Sequence, residues 1–421
     1  MSLPMRLRAA VLAAVSFLAA APARSQVADP PIAGESFTGE GVTESVDAIM
    51  AREAALPREP FRVRETKPEP PPLLKDRQHP LAPAVPSWPA GSIPLLAASP
   101  LGEERAPQTV GVSFLGMNIF HTVGYVPPDS MGDVGPSQLL VASNGRIRVF
   151  AKSGALGPLD TTTDNFFGSV GGGINGTSDP HVRYDRLSQR WFVSIITVDN
   201  CPNDVLLAVS SGAVITSQTN FTFFRFSGEP AAFTDYDTLG VDRFALYIGA
   251  NIFNCGSFSF KNTSVWVVNK ASLLAGTLSV TAFRGLMNTA NPRFGIYTPQ
   301  GVHNDDPQAT QGYFVGVDGV NFGELILHRV NNPGGAPTLS PRISVFVPAT
   351  SLPIVQSQPF GPFLDALEDR LFAAQVHTNA LTGARSLWTA HNIQVNSSGV
   401  ADAGGGRNGS RWYEIGNLSG T

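Results

Sequence analysis

The chain has 421 residues, 43% of them hydrophobic, with 42 glycines, 34 prolines and only 15% charged side chains. That composition supports a real core divided among many strands and turns, and it leaves little material for long helices. A formal charge of −4 at pH 7 with no basic cluster argues against a nucleic-acid partner.

At the start of the chain, Arg6 and Arg8 precede an apolar run, Ala9 to Ala21, that closes in Ala21-Pro22-Ala23. Residues 1–23 read as a cleaved secretory signal, because the run falls short of the about 20 residues a membrane span requires. No later stretch is apolar for long enough to cross a bilayer. The mature chain is expected to be secreted or periplasmic with no integral membrane segment, and its balance becomes 27 basic against 33 acidic residues.

Residues 24–108 change character, with 13 prolines from Pro57 to Pro107 and runs such as Lys67-Pro-Glu-Pro-Pro-Pro72. They are expected to form a largely disordered, extended leader. Within it, Val46, Ile49 and Met50 fall at helical spacing over Ser45 to Leu56, and Pro57 stops the pattern. Nothing near this segment offers an apolar face, so a partly formed helix is expected; a docking helix is the other reading.

From residue 109 to 421 a loose repeat of strands and turns appears. Strand-like runs recur as Leu139 to Ser143, Trp191 to Val198, Ala245 to Asn251, Tyr313 to Val317 and Leu371 to Val376, each followed by further strands. Matching Leu139, Trp191, Phe244, Phe314 and Phe372 gives steps of 52, 53, 70 and 58 residues, near the period of about 50 found in kelch-like propeller blades. These runs are apolar at nearly every position, which fits sheets covered on both faces. The expected fold is all-β, a β-propeller of four-stranded blades, with a sandwich or β-helix as the alternative. Five blades are visible, and Thr421 falls just after the third strand of the fifth. Either Thr109 to Phe114 supplies the missing outer strand, or further blades follow; Arg411-Trp-Tyr-Glu-Ile-Gly-Asn417 reads as a strand leading onward.

Three segments carry a resemblance: Pro127-Pro-Asp-Ser-Met-Gly-Asp-Val-Gly-Pro136, Asp179-Pro-His-Val-Arg-Tyr-Asp-Arg-Leu-Ser-Gln-Arg-Trp-Phe192 and Arg411-Trp-Tyr-Glu-Ile415. Over roughly residues 110 to 421 the chain resembles uncharacterised secreted bacterial β-propeller proteins. The resemblance implies a propeller, often continued past the Arg-Trp-Tyr-Glu segment, and transfers no catalytic residue. The Ser-x-Asp-x-Gly-x-x-Trp box of sialidases is absent.

Cys201 and Cys255 are the only cysteines, and each follows the second strand of its unit. Equivalent loops of neighbouring blades lie side by side, so an exported chain is expected to join them in a disulfide. Asp129, Asp133, Asp179, Asp235, Asp237, Asp305, Asp306 and Asp365 nearly all precede a strand. Their first expected role is in turns, where the side chain bonds backbone amides; converging on one rim, Asp129, Asp133, Asp179 and Asp235 are candidate ligands for Ca²⁺. His181 and His303 adjoin such aspartates, but no short-range ligand spacing supports zinc. Gly171-Gly-Gly-Ile-Asn-Gly176 lacks the following helix of a dinucleotide site and reads as a turn. No motif identifies a catalytic group or an organic cofactor.

Two functions remain. The first is a binding or scaffold module for an extracellular polysaccharide or protein ligand, held by loop residues such as Phe233 and Tyr236. The second is a carbohydrate-active hydrolase or lyase pairing Asp179, Asp235 or Asp305 with Glu324 or Glu368, which requires two carboxylates about 5 to 10 Å apart.

Overall fold

A computed structural model describes residues 30–57, 60–67, 73, 75, 77–83, 109–171, 174, 176–288, 294–357 and 364–419. The signal assigned to residues 1–23 and most of the proline-rich stretch lie outside the described residues. Among those described, no helix is long and apolar enough to cross a membrane.

The chain is all-β, and five antiparallel sheets succeed one another in chain order. The first holds Met131–Val134, Gln138–Ser143, Arg146–Ala151 and Leu156–Thr161. The second holds Thr177–Asp185, Arg190–Thr197, Asp204–Ser210 and Asn220–Ser227. The third begins with two short strands, Phe233–Asp235 and Gly240–Val241, and continues through Ala245–Phe253, Phe260–Asn269 and Thr277–Arg284. The fourth is built on Phe294–Asn304, Gly312–Asp318, Glu324–Asn331 and Ile343–Phe346, and the fifth on Phe372–Thr378, Arg385–Val395 and Arg407–Ile415. Val302 to Asn304 also pair in parallel with Ala374 to Val376, so the fourth and fifth sheets are hydrogen-bonded to each other.

Two-sided burial explains the continuous apolar runs. In Arg190–Thr197, Trp191, Val193 and Ile195 enter the core shared with the first sheet, while Phe192 and Ile196 enter the core shared with the third. Ala245 and Tyr247 likewise face the fourth sheet, and Leu246 and Ile248 the second. A further cluster joins the fourth sheet to the fifth. With a side-chain period of two, a strand clothed on both sides has no polar face to show.

The phase of the repeat departs from expectation at its end. Leu139, Trp191 and Phe314 lie in the second strands of their sheets, but Phe372 opens the first strand of the fifth. The run from Leu371 to Val376 reads as fully buried, yet in the sheet Phe372, Ala373 and Gln375 are exposed while Ala374 and Val376 are buried. Among the described residues the fifth sheet has three strands, the number visible in the sequence, with Leu371 to Val376 as the first of them rather than the second. Asp133, Asp179 and Asp235 also lie within first strands rather than in turns ahead of them.

Residues 109 to 114 form no strand; the Phe114 ring instead packs at a tilt against Phe150, centroids 5.2 Å apart. The second, third and fourth sheets each gain an outer strand from the leader, whose residues 30–57 are ordered, contrary to the expectation of disorder across 24–108. Ile32–Ala33 pairs with Thr338–Leu339 of the fourth sheet, Glu35–Glu40 with Thr277 to Ala282 of the third, and Val42–Ser45 with Asn220 to Phe223 of the second. Gly34 and Gly41 mark the steps between sheets: a Cβ there would stand 2.5 Å from Thr281 and 2.6 Å from Phe224. A side chain at either step would push the strap off its edge.

The strap ends in the helix Val46–Ala55, a docked helix rather than a partly formed one. Ser45 caps it by accepting from the Ala48 N–H at 3.2 Å, with Asp47 in the first turn and Arg52 in the last. Val46 and Ile49 are wholly buried between the first and second sheets. Glu53 accepts from Arg146 at 2.8 Å and from the Thr161 hydroxyl at 2.8 Å.

Candidate functional site

Two places gather polar and aromatic side chains. The first lies where first strands kink at residues with left-handed backbone. Asp179, Thr298 and Ala373, with φ of 59°, 49° and 47°, each sit at a break in strand register, and Asp129 and Tyr236 have φ of 40° and 55°. Such bulges re-aim side chains. Here they bring Asp129, Asp179, Asp235 and Tyr236 of three sheets together around Lys67, which the leader delivers.

The Lys67 ammonium donates to both Asp179 and Asp235, and all three side chains are at most 7% exposed. Asp179 also accepts from the Tyr236 N–H at 3.1 Å and from the Ser178 hydroxyl at 3.0 Å. Asn144 links the next carboxylate, donating to Asp129 at 2.6 Å while accepting from the Asp179 N–H at 3.0 Å. Arg370 lies over the Tyr236 ring at 4.4 Å and pairs with Glu368. On the same leader, Lys75 forms an ion pair with Asp369 at 2.7 Å.

Burial dominates the electrostatics of this cluster. It would strip the Lys67 proton, but Asp179 and then Asp235 outweigh it and hold the pKa above the ordinary lysine value. Burial raises Asp179 as well, and Lys67 overcomes this to bring it below the usual carboxylate range. Asp235 and Asp237 stay raised by burial, only partly opposed by Lys67. Asp129 is pushed up to about 7 by burial and then by the Asp179 charge, and His181 is lowered to about 3 by burial and then by Arg183.

Three of the four expected Ca²⁺ ligands thus converge, with an ammonium group at their centre. Asp133 stands apart, accepting from the Tyr184 N–H at 2.7 Å. Among the described residues no group of three His, Cys, Asp or Glu side chains is placed to hold a metal ion. His303 Nε2 lies 3.2 Å from Asp305, in the second site below.

Asp129 offers a test. An acid whose folded pKa lies near 7 and whose ordinary value is 3.8 penalises the fold increasingly as pH rises between those values, and fully above them. Asp129→Asn is therefore expected to stabilise the protein at pH 8 by about 1–2 kcal/mol, discounted for partial exposure, and to change little at pH 4. Urea unfolding at the two pH values checks this; an equal change at both would contradict it.

The second site is a cleft of about 500 Å³ between the fifth sheet and the first two. Among the described residues, no apolar cluster joins the fifth sheet to the first. Asp133, Arg183, Arg186, His303 and Asp305 line it together with Phe372, Trp388 and Trp412, His303 coming from the fourth-sheet strand that pairs with the fifth sheet. Trp388 and Trp412 stack with centroids 5.3 Å apart and planes 21° from parallel, and are 36% and 52% exposed. Register explains the pair: Trp388 faces Glu414 and Ala390 faces Trp412, so the two indoles are diagonal neighbours on one face. Trp388 Nε1 donates to Ser386 Oγ at 3.0 Å, which donates to Glu414 at 2.8 Å. Asp305 is raised by burial, but its bond to His303 and the nearby His303, Arg186 and Lys270 charges bring it below its usual value.

Other candidates fall elsewhere. Phe233 is buried against Phe258 at 5.3 Å, and Tyr236 lies beneath Arg370, so neither is a free aromatic loop residue. Glu324 is buried near His79, 3.7 Å away. Lys67 and the two tryptophans were not picked out by sequence reasoning. For the tryptophans a signal existed: in Ser386-Leu-Trp-Thr-Ala390 an exposed indole alternates with buried Leu387 and Thr389.

No protein-family model and no curated protein matches the chain. Among solved structures it is similar to an N-acetylgalactosamine deacetylase from F. plautii, at 11% identity and TM-score 0.35 over 66% of this chain and 85% of that one. It is also similar to an exo-1,5-α-L-arabinanase from a bovine ruminal metagenomic library, at 8% identity and TM-score 0.34 over 70% and 94%. An exo-β-1,3-galactanase from Clostridium thermocellum stands at 8% identity and TM-score 0.34 over 69% and 59%. Likeness at these scores carries no argument about activity.

Proposed function

We propose that the five sheets are blades of an exported β-propeller and that the chain is a glycan-binding module, seating a sugar ring on the Trp388–Trp412 stack. The observation that supports this is a co-facial, half-exposed indole pair in a cleft lined by charged groups. Sugar rings present apolar C–H faces ringed by hydroxyls. Indoles cover the former, and carboxylates and guanidinium groups form charge-assisted hydrogen bonds with the latter.

A bound polysaccharide is favoured over a hydrolysed one by the state of the acids. Glycoside hydrolysis requires one carboxyl of raised pKa to protonate the leaving group. In the cleft Asp305 is lowered, and Asp133 is occupied by the Tyr184 and Val134 N–H groups. The raised carboxyls lie elsewhere: Asp129, Asp235 and Asp237 are gathered around Lys67, and Asp242 is buried and bonded by the Tyr247 hydroxyl.

Titration calorimetry against a panel of soluble polysaccharides tests the reading. A glycan that binds the native chain is expected to lose at least tenfold in affinity to Trp388→Ala combined with Trp412→Ala, about 1.4 kcal/mol or more. Unchanged affinity in the double variant would remove the cleft from consideration.

A further inference from the structure

Lys67 is an unusual tenant. It belongs to the leader, yet its ammonium is buried between carboxylates of the second and third sheets. Two of the acidic residues that surround it are held without Lys67, by bonds within the second sheet and between it and the third: Asp179 accepts from the Tyr236 N–H and from Ser178, and Asp237 from the Ser194 hydroxyl at 2.8 Å. Asp237 is wholly buried, in electrostatic contact with Asp179 and Lys67, and its Oδ1 has no hydrogen-bond partner among the described residues. His181 Nδ1, beside Asp179, is likewise buried and without one among those residues. An acceptor left unmatched deep in a polar cluster is costly, and a donor entering it would find vacant lone pairs.

We infer that Asp179, Asp235 and Asp237 form a receptor for a primary ammonium group on an extended aliphatic stem, with Lys67 as its built-in occupant. An ammonium has three donors, which match acceptors on three carboxylates. Lys67 uses Asp179 and Asp235, and the free Oδ1 of Asp237 supplies capacity beyond them. The fitting external ligand is a lysine side chain or an alkylammonium of similar length. A quaternary ammonium, lacking N–H donors, does not fit. The site is distinct from the tryptophan cleft and stands whether or not that cleft binds glycans.

The test uses the full chain and its Lys67→Ala variant, with n-butylammonium as the probe and tetramethylammonium at equal concentration as the control. Butylammonium is expected to bind the variant saturably, at least tenfold more tightly than it binds the native chain, and to raise the variant's melting temperature; tetramethylammonium is expected to do neither. Adding Asp235→Asn to the variant should abolish the effect. Equal binding to both proteins, absence of saturation, or an equal response to tetramethylammonium would each overturn the inference. If Lys67→Ala does not fold, acylation of the native chain followed by mass spectrometry decides. Butylammonium should then accelerate labelling of Lys67 saturably while leaving exposed Lys152 unchanged, and an unaltered Lys67 rate would overturn the inference.

Discussion

Replacing Ile49 by alanine is expected to lower the unfolding free energy of the full chain by about 3 kcal/mol, within the range for burying and then truncating an isoleucine. Ile49 has no exposed surface and packs with Val46, Leu140, Phe166 and Phe221, residues contributed by the leader, the first sheet, the short helix Thr163–Phe166 and the second sheet. A disordered leader would make the same substitution silent, so the size of the loss discriminates the two arrangements directly. Glu53→Ala should add to it by leaving Arg146 and Thr161 without this partner. Equilibrium urea unfolding measures both, and a loss under about 0.5 kcal/mol for Ile49→Ala, the level of an ordinary surface change, would refute the docked helix.

The second large effect concerns Cys201 and Cys255, which form a disulfide with Cα atoms 5.7 Å apart and 54 residues of separation. It ties the loop after Arg190–Thr197 in the second sheet to the loop after Ala245–Phe253 in the third. Closing a loop of this length removes unfolded-state entropy worth about 4 kcal/mol in the chain-entropy model. Cys201→Ser with Cys255→Ser is expected to lose about that much, and dithiothreitol should destabilise the native chain while leaving the double variant unaffected. A drop below about 1 kcal/mol would show that the unfolded chain is already constrained in this region.

What could be read from sequence follows from how far apart the interacting residues lie. Second strands were legible because burial on two faces writes an unbroken apolar run, as from Trp191 to Ile196. The cysteine pair was legible because both members occupy one position of a repeat. The strap was not: Glu35–Glu40 reads Glu-Ser-Phe-Thr-Gly-Glu, a polar alternation that becomes an edge strand only because Thr277–Arg284 lies alongside. Strand propensity of that kind depends on the neighbour more than on the segment. Lys67 sits among prolines and declares nothing until Asp179 and Asp235 meet it. The phase of the fifth unit was misread because Phe372 and Ala373 are apolar and exposed, which hydrophobicity cannot distinguish from apolar and buried.

The path of the strap also sets an order of events. Ile32 pairs with Leu339, Phe37 with Val280 and Thr43 with Thr222, so residues near the start of the chain are joined to partners that emerge from the ribosome much later, and in reverse sequence. Contacts of such span slow folding, because each closes a long loop before it is rewarded. Until the strap arrives, the outer strands of the second, third and fourth sheets carry open edges of the kind that recruit other chains. The leader strands from Ile32 to Ser45 cannot lock down until most of the sheets exist, which delays completion of the molecule until its synthesis is nearly over.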